Sequence, residues 1–137
     1  MEKVNENVPP RVWIYARCPG SYTATKEQAE FLGLRARLSG ATVVGVSTDT
    51  KSGWNRPGYR ELLHRMKQGD FGYIYITRMG SLGHSERQLL RFFSLAMKHN
   101  IKVRAIEADL RNQANAYSVG RKVERRAMRN GWELPWA

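Results

Sequence analysis

Short apolar runs alternate with amphipathic stretches along most of the chain. Four runs combine β-branched and aromatic residues in the pattern typical of buried strands, and they lie at 11–17, 41–46, 71–77 and 101–106. Between these runs, apolar residues recur at the three- and four-residue spacing of helices. Strands that alternate with helices predict a three-layer α/β fold, with a mainly parallel sheet of four or five strands and helices on both faces.

The first helix is predicted to begin at about Thr25, because Gln28 follows three residues later with the spacing of a capping box. Phe31, Leu34 and Leu38 fall on one side of this helix. An apolar stripe of this kind is normally turned towards the core, so we expect these three residues to be buried.

The next two helices have clear starting signals. Pro57 suits the first turn of one, and Ser85 with Gln88 forms a capping-box pattern for the other. The apolar positions of both helices recur at helical spacing and are predicted to be core residues: Tyr59, Leu62, Leu63, Met66, Leu89, Leu90, Phe93, Ala96 and Met97.

The chain divides into three predicted segments. Residues 1–10 read as a polar, flexible leader, 11–110 as the α/β domain, and 111–137 as a basic helix followed by a tryptophan-containing tail. After residue 110 too few residues remain for a separate DNA-binding domain. Trp132 and Trp136 have three open interpretations: they fold back on the core, stack on a base, or bind a partner.

The charge favours a polyanionic partner. Lys and Arg outnumber Asp and Glu by 23 to 12, which gives a formal net charge of +11. Such a field usually attracts nucleic acid, mainly through non-specific phosphate contacts, although a basic solubility surface is the alternative. A single cysteine, Cys18, fits a reducing cytoplasm, with a nucleoid-associated location in a prokaryotic-type cell. No apolar run is long enough to span a membrane.

No cofactor or metal is predicted. The three histidines are scattered, and with one cysteine they give no metal-ligand spacing. In parallel sheets ligands meet the loops at the carboxyl ends of the strands, which are here 17–25, 47–57 and 78–85. The first of these loops contains a predicted turn at 18–21, because Pro19 and Gly20 are residues that favour turns.

These three loops carry a pattern that resembles the N-terminal catalytic domain of serine recombinases, the resolvase and invertase family. The resemblance covers about residues 11–110 and rests on Tyr15-Ala16-Arg17, Gln28, Asp49, Ser52-Gly53, Arg56-Pro57-Gly58 and Leu82-Gly83. It implies a resolvase-like fold and a DNA strand-transfer chemistry in which a serine hydroxyl attacks phosphorus. Arginines then stabilise the charge that develops on the phosphate oxygens.

The chain departs from this pattern at the residues that carry the chemistry. The nucleophilic serine falls on Pro19, and the acidic residue and two arginines of the next motif fall on Gly80, Ser81 and His84. Losing one preorganised charge-stabilising group typically costs about 10²–10³ in rate. The resemblance therefore predicts a catalytically degenerate protein that acts by binding DNA backbone or a recombinase-type protein, or by forming oligomers, in a regulatory or accessory capacity.

Two alternatives stay open at this point. The chain is an active or weakly active recombinase whose nucleophile has moved to Ser21 or Cys18, or it is a pure protein-interaction module. The remnant site of Arg17, Gln28, Asp49, Ser52 and Arg56 likewise has two interpretations. Arg17, Asp49 and Arg56 form a structural ion-pair network, or Arg17 and Arg56 grip a phosphate while Asp49 orients one guanidinium. The predicted phosphate-binding residues are Arg17, Arg56, Arg78, Arg121, Lys122, Arg125, Arg126 and Arg129.

Overall fold

The four apolar runs form one parallel sheet in the computed structural model, which describes residues 8–53 and 55–137. The strands are β1 (Arg11–Arg17), β2 (Thr42–Asp49), β3 (Tyr73–Ile76) and β4 (Lys102–Ala105), in the order β2-β1-β3-β4. The predicted leader 1–10 lies mostly outside the described residues. The predicted α/β architecture is confirmed, with four strands in the sheet.

Within the described residues, five α-helices and one 3₁₀ turn accompany the strands, and the last two helices follow β4. In chain order these elements are α1 (Tyr22–Leu38), α2 (Pro57–Met66), the turn Met79–Ser81, α3 (Glu86–Lys98), α4 (Leu110–Ala116) and α5 (Gly120–Asn130). Alternate residues of β1 point to opposite faces of the sheet, where Ile14 packs with α1 residues and Tyr15 packs with residues of α2 and α3. None of these helices is long and apolar enough to cross a membrane.

Helix α1 begins earlier than the sequence predicts. Its N-cap is Ser21, whose Oγ accepts a hydrogen bond from the Ala24 backbone N–H at 3.1 Å. The predicted start at Thr25 is wrong, because Thr25 lies inside the first turn and is buried. Its hydroxyl donates to the Ser21 carbonyl oxygen at 2.7 Å, so this residue reinforces the helix start from within.

The apolar stripe of α1, which the sequence predicts to be buried, is exposed. Phe31, Leu34 and Leu38 are 46%, 52% and 74% accessible, and the helix instead meets the sheet through Leu32 and Ala36, which share a core cluster with residues of β1. Positions 32 and 36 are four residues apart, so they share one side of the helix and leave the stripe on the other side. The prediction that the stripe is buried is therefore wrong.

The segment predicted as one basic helix folds into two. Helices α4 and α5 are separated by a turn in which Ser118 has a positive φ of 59°. The inner residues of both helices join the main core: Leu110, Ala114, Val119, Val123 and Ala127. The predicted boundary at residue 110 is therefore not a boundary in the packing, because one core includes residues on both sides of it.

The C-terminal tail lies along the outer edge of β4. The Val103 backbone N–H donates to the Pro135 carbonyl oxygen at 2.7 Å, and the Ala137 N–H donates to the Val103 carbonyl oxygen at 3.1 Å. The Trp136 ring meets Phe93 edge-to-face with centroids 5.1 Å apart, and Trp132 packs against the same core. Of the three interpretations of the tryptophans, folding back on the core is the one that the structure shows.

We expect Trp136→Ala to lower the free energy of unfolding by about 2 kcal/mol, because the substitution removes a half-buried aromatic side chain from the core. Urea denaturation followed by circular dichroism measures this change. Met128→Ala is the matched control, since Met128 is 84% exposed and its loss is expected to change stability by less than about 0.5 kcal/mol. Equal stabilities of the two variants would contradict the docking of the tail.

Candidate active site

The loops after β1 and β2 meet at the carboxyl ends of their strands. Arg17, the last residue of β1, is the register partner of Asp49, the last residue of β2. The Gly20 N–H donates to the Thr50 carbonyl oxygen at 2.7 Å and joins the two loops directly. The family positions retained in this chain therefore lie together at the edge where parallel sheets bind ligands.

Asp49 is a buried carboxylate that holds the start of α2. Its oxygens accept hydrogen bonds from the Tyr15 hydroxyl at 2.6 Å and from the backbone N–H groups of Gly58 and Tyr59, both at 2.8 Å. The first N–H groups of a helix have no partner within it, so a carboxylate is stabilised there. Gly58 permits this approach, because a Cβ at that position would lie 2.3 Å from the Thr48 carbonyl oxygen.

Arg56 links the second loop to the third. Its guanidinium donates to the carbonyl oxygens of Leu82 at 2.9 Å and of Ser81, and to the Tyr15 hydroxyl at 2.8 Å. The Asp49 carboxylate lies 4.0 Å from its Nε. Arg56 is only 7% exposed. Its guanidinium is therefore turned inward and engaged by protein partners, so it links the two loops.

Two tyrosines complete this buried network. Burial, together with the hydrogen bond to Asp49, raises the pKa of Tyr15 above its ordinary value. Burial also raises the pKa of Tyr59 to about 12. The Arg56 guanidinium stacks over the Tyr59 ring at 4.2 Å from its centroid, a cation–π contact. Both phenols therefore stay neutral at physiological pH and serve as hydrogen-bonding and packing groups.

Arg17 lies outside the Asp49–Arg56 pair. Its Nη2 donates to the Gly53 carbonyl oxygen at 2.9 Å, and its backbone N–H donates to Gln28 Oε1 at 2.9 Å. Among the described residues, no carboxylate lies within salt-bridge distance of Arg17, and its buried Nε has no hydrogen-bond partner. The three-residue ion-pair network considered from the sequence thus contains Asp49 and Arg56 but not Arg17. Ser52, the remaining retained position, is exposed in the same loop.

The nucleophile position lies in a tight turn. The Ser21 N–H donates to the Cys18 carbonyl oxygen at 3.1 Å, and Gly20 at the third position has a φ of 85°. These features match a type II β-turn, which favours proline at its second position and glycine at its third. Pro19 occupies that second position and is exposed. The turn predicted at 18–21 is therefore present.

The two candidate substitutes for the nucleophile are engaged in local contacts. Ser21 Oγ caps α1, as described above. The Cys18 sulfur accepts a hydrogen bond from Gln28 Nε2 at 3.2 Å, and the Cys18 backbone N–H donates to Thr25 Oγ1 at 3.1 Å. Gln28 therefore acts as a clamp on the first loop, with one end on Arg17 and the other on Cys18.

The turn at 79–84 has little charge to offer a phosphate. Ser81 is buried, with its hydroxyl 3.4 Å from Thr77 Oγ1. His84 is exposed, and its ring centroid lies 6.3 Å from that of Tyr117. Arg78 is exposed and lies 3.6 Å from Glu107. The positions of the two family arginines are thus occupied by one inward hydroxyl and one surface imidazole.

The basic residues of α5 divide into two sets. Lys122 forms an ion pair with Glu86, and Arg126 donates to Ser94 Oγ at 2.9 Å, so both tie α5 to α3. The second set is exposed and spaced four residues apart, which aligns it along one side of the helix: Arg121, Arg125 and Arg129. No acidic side chain of residues 8–53 and 55–137 pairs with this arginine ridge.

The central part of the network was not predicted from the sequence. In the sequence Tyr15 is part of a motif without an assigned role, and Tyr59 is predicted only to be a core residue. Hydrogen bonds that span 41 residues, such as that between Arg56 and Tyr15, leave no local pattern. Within the described part of the chain, no group of three metal-ligating side chains comes together.

The fold and the loop network define a class of protein: a parallel α/β domain with a polar site at the carboxyl ends of its first strands. The family model described as "Resolvase, N terminal domain" matches residues 12–128, so the chain belongs to this family. The match extends beyond residue 110 and includes most of α5. No curated protein matches the chain.

Solved structures agree with this fold at low sequence identity. The N-terminal catalytic domain of TP901-1 integrase has a TM-score of 0.67 and 18% identity, over 88% of this chain and 94% of that one. The C-terminal catalytic domain of ISC1926 TnpA, an IS607-like serine recombinase, has a TM-score of 0.65 and 21% identity, over 84% and 80%. A resolvase family site-specific recombinase from Streptococcus pneumoniae has a TM-score of 0.61 and 13% identity, over 89% and 92%.

We expect Tyr15→Phe to lower the free energy of unfolding by about 2 kcal/mol. The substitution removes a buried hydroxyl that donates to a carboxylate and accepts from a guanidinium, and it leaves both charges short of a partner. Tyr22→Phe is the matched control because Tyr22 is 72% exposed, and we expect it to be nearly neutral. Chemical denaturation of both variants measures the difference, and equal midpoints would refute the importance of this network.

Proposed function

We propose that this chain is a catalytically degenerate member of the resolvase family that works by binding, with the DNA backbone as its main target. The observation that carries the proposal is Pro19, a residue without a nucleophilic atom, at the position of the family's serine. It stands in a turn for which proline is well suited, so the substitution fits the local backbone.

The surroundings of Pro19 support this proposal. Phosphoryl transfer needs a hydroxyl aligned with phosphorus and cations that absorb the charge on its oxygens. In this chain Arg56 is committed to buried partners, while Ser81 and His84 stand where the family has arginines. Each missing charge-stabilising group costs about 10²–10³ in rate, so these losses would remove most of the acceleration, even without full additivity.

The arginine ridge supports DNA as the target. Arg121, Arg125 and Arg129 are exposed and form no salt bridge within the described residues, whereas Lys122 pairs with Glu86 and Arg126 donates to Ser94 Oγ. Three guanidinium groups repeat at about 6 Å along the helix axis and suit contacts to phosphate oxygens. Such contacts hold DNA without reading its sequence. Arg17, which forms no salt bridge within the described residues, is the retained site residue best placed to add a contact.

A second function, binding of a recombinase-type protein or of another copy of this chain, is favoured by a different observation. Phe31, Leu34 and Leu38 form an exposed apolar stripe along α1. Exposed apolar surfaces often mark protein contacts. The solved relatives include a site-specific recombinase, so a regulator that forms mixed oligomers with an active relative would use such a surface.

We expect duplex DNA affinity to fall steeply with salt, and we expect the triple variant Arg121→Gln/Arg125→Gln/Arg129→Gln to reduce the slope of log K against log salt by about 2.7. Fluorescence anisotropy across a salt series measures this slope. The control Lys26→Gln/Arg35→Gln/Arg37→Gln removes the same charge from α1, on the opposite face of the sheet. An equal loss of slope in both variants would refute the arginine ridge as the DNA-binding surface. If the native chain shows no affinity for duplex DNA at low salt, protein binding is left as the function.

We expect no covalent protein–DNA adduct from the native chain when it is incubated with supercoiled or nicked DNA and analysed by denaturing electrophoresis. Pro19→Ser should also give none, because the added hydroxyl still lacks the two arginines that Ser81 and His84 replace. An adduct from the native chain that disappears with Ser21→Ala or Cys18→Ala would overturn the proposal and establish a displaced nucleophile.

A further inference from the structure

A basic groove lies between α2, α3 and α5, and it borders the buried network of the remnant site through Tyr59. Its volume is about 510 Å³, within the range of small-molecule sites. Four cationic side chains line it, and no acidic side chain does: Lys67, Arg91, Lys98 and Arg126. None of the four forms a salt bridge within residues 8–53 and 55–137. The groove therefore favours an anion.

One of the four cations is held in place. Arg126 is half-buried, and its Nη1 donates to Ser94 Oγ at 2.9 Å. Ser94 in turn donates to the Leu90 carbonyl oxygen at 2.7 Å. This chain of hydrogen bonds fixes the guanidinium at the wall of the groove before any ligand arrives. Arg91 and Lys98 are exposed on α3, so they are free to close on a bound anion.

The rest of the groove is aromatic and apolar. Tyr59, Phe92 and Trp132 all contribute to its lining. The Tyr59 and Phe92 rings lie 6.0 Å apart, and Arg56 stacks on Tyr59, so the Tyr59 ring has a fixed orientation. Phe92 is buried, whereas Tyr59 and Trp132 are half-buried, so these two rings offer the surface on which a planar group would stack.

We propose that this groove binds a nucleotide, either free or as one unit of a single-stranded nucleic acid. An isolated phosphate would leave the aromatic walls uncovered, and an uncharged apolar molecule would leave the cations without a partner. A nucleotide joins a planar base to a phosphate and matches both halves of the lining. Duplex DNA keeps its bases stacked inside the helix, so it presents phosphate to the groove without a base.

This inference does not depend on the duplex contacts proposed above, because those use other side chains of α5. Arg126 faces the groove, whereas the arginine ridge of Arg121, Arg125 and Arg129 faces solvent. Loss of nucleotide binding and loss of duplex binding can therefore be measured separately on the same protein.

Calorimetric titration with adenosine monophosphate, adenosine and inorganic phosphate tests the two halves of the site. We expect the monophosphate to bind at least about tenfold more tightly than adenosine or phosphate alone. Equal affinity for inorganic phosphate would overturn the base-stacking half, and equal affinity for adenosine would overturn the cationic half.

A short single-stranded oligothymidylate distinguishes the source of the nucleotide. If it binds and is displaced by the monophosphate, the site accepts both, and if it binds while the monophosphate does not, the site takes a nucleotide within a strand. Binding of neither would overturn the proposal. We expect Arg91→Gln/Lys98→Gln to weaken binding about tenfold without changing the melting temperature, since both residues are exposed.

The matched control is Lys26→Gln/Arg37→Gln, which removes the same charge from exposed positions on α1, across the sheet. It should leave nucleotide affinity unchanged. An equal loss in the control would show attraction to the net charge alone and would overturn the groove as a site. Trp132→Phe provides an independent readout, since it keeps an aromatic ring of smaller area. It should weaken the binding of the monophosphate more than the binding of inorganic phosphate.

Discussion

The structure of this domain depends on the burial of one carboxylate, Asp49, with its charge compensated. Removing a carboxylate from water costs several kcal/mol unless hydrogen bonds and an opposite charge replace the lost solvent. Here two backbone N–H groups, the Tyr15 hydroxyl and the nearby Arg56 supply that replacement. The network thereby fixes three things at once: the end of β2, the start of α2 and the turn at 79–82. The second and third loops of the site depend on it.

This network separates the scaffold of the site from its chemistry. Asp49 and Arg56 resemble remnants of catalysis when only the sequence is considered, yet in the structure they hold the fold together. A chain that loses its nucleophile still needs them, because removing either would leave the other as a buried, uncompensated charge. Arg17 differs, since it contacts only loop groups and has a spare donor. The presence of Asp49 and Arg56 is therefore weak support for catalysis.

The sequence predicts the sheet well because parallel strands buried on both faces are nearly continuous apolar runs. It mispredicts the buried side of α1 because periodicity identifies which apolar residues share a side, not which side meets the sheet. Leu32 and Ala36 occupy the buried side of α1, and the sequence marks their spacing no more clearly than that of the exposed stripe. The docking of the tail depends on the pairing of Val103 with residues 135–137. No local rule reveals a contact of that separation.

Pro19 is well suited to the turn in which it lies. Proline limits the conformations of the unfolded chain, so it stabilises a turn whose backbone it already fits, typically by about 0.4–1 kcal/mol. The turn at 18–21 has the hydrogen bond and the positive φ at Gly20 that such a proline favours. A serine nucleophile at the same position would need freedom to align with phosphorus. In this chain the loop is held by Pro19 on one side and by the Gln28 hydrogen bonds on the other, and this rigidity accords with the binding function that we propose.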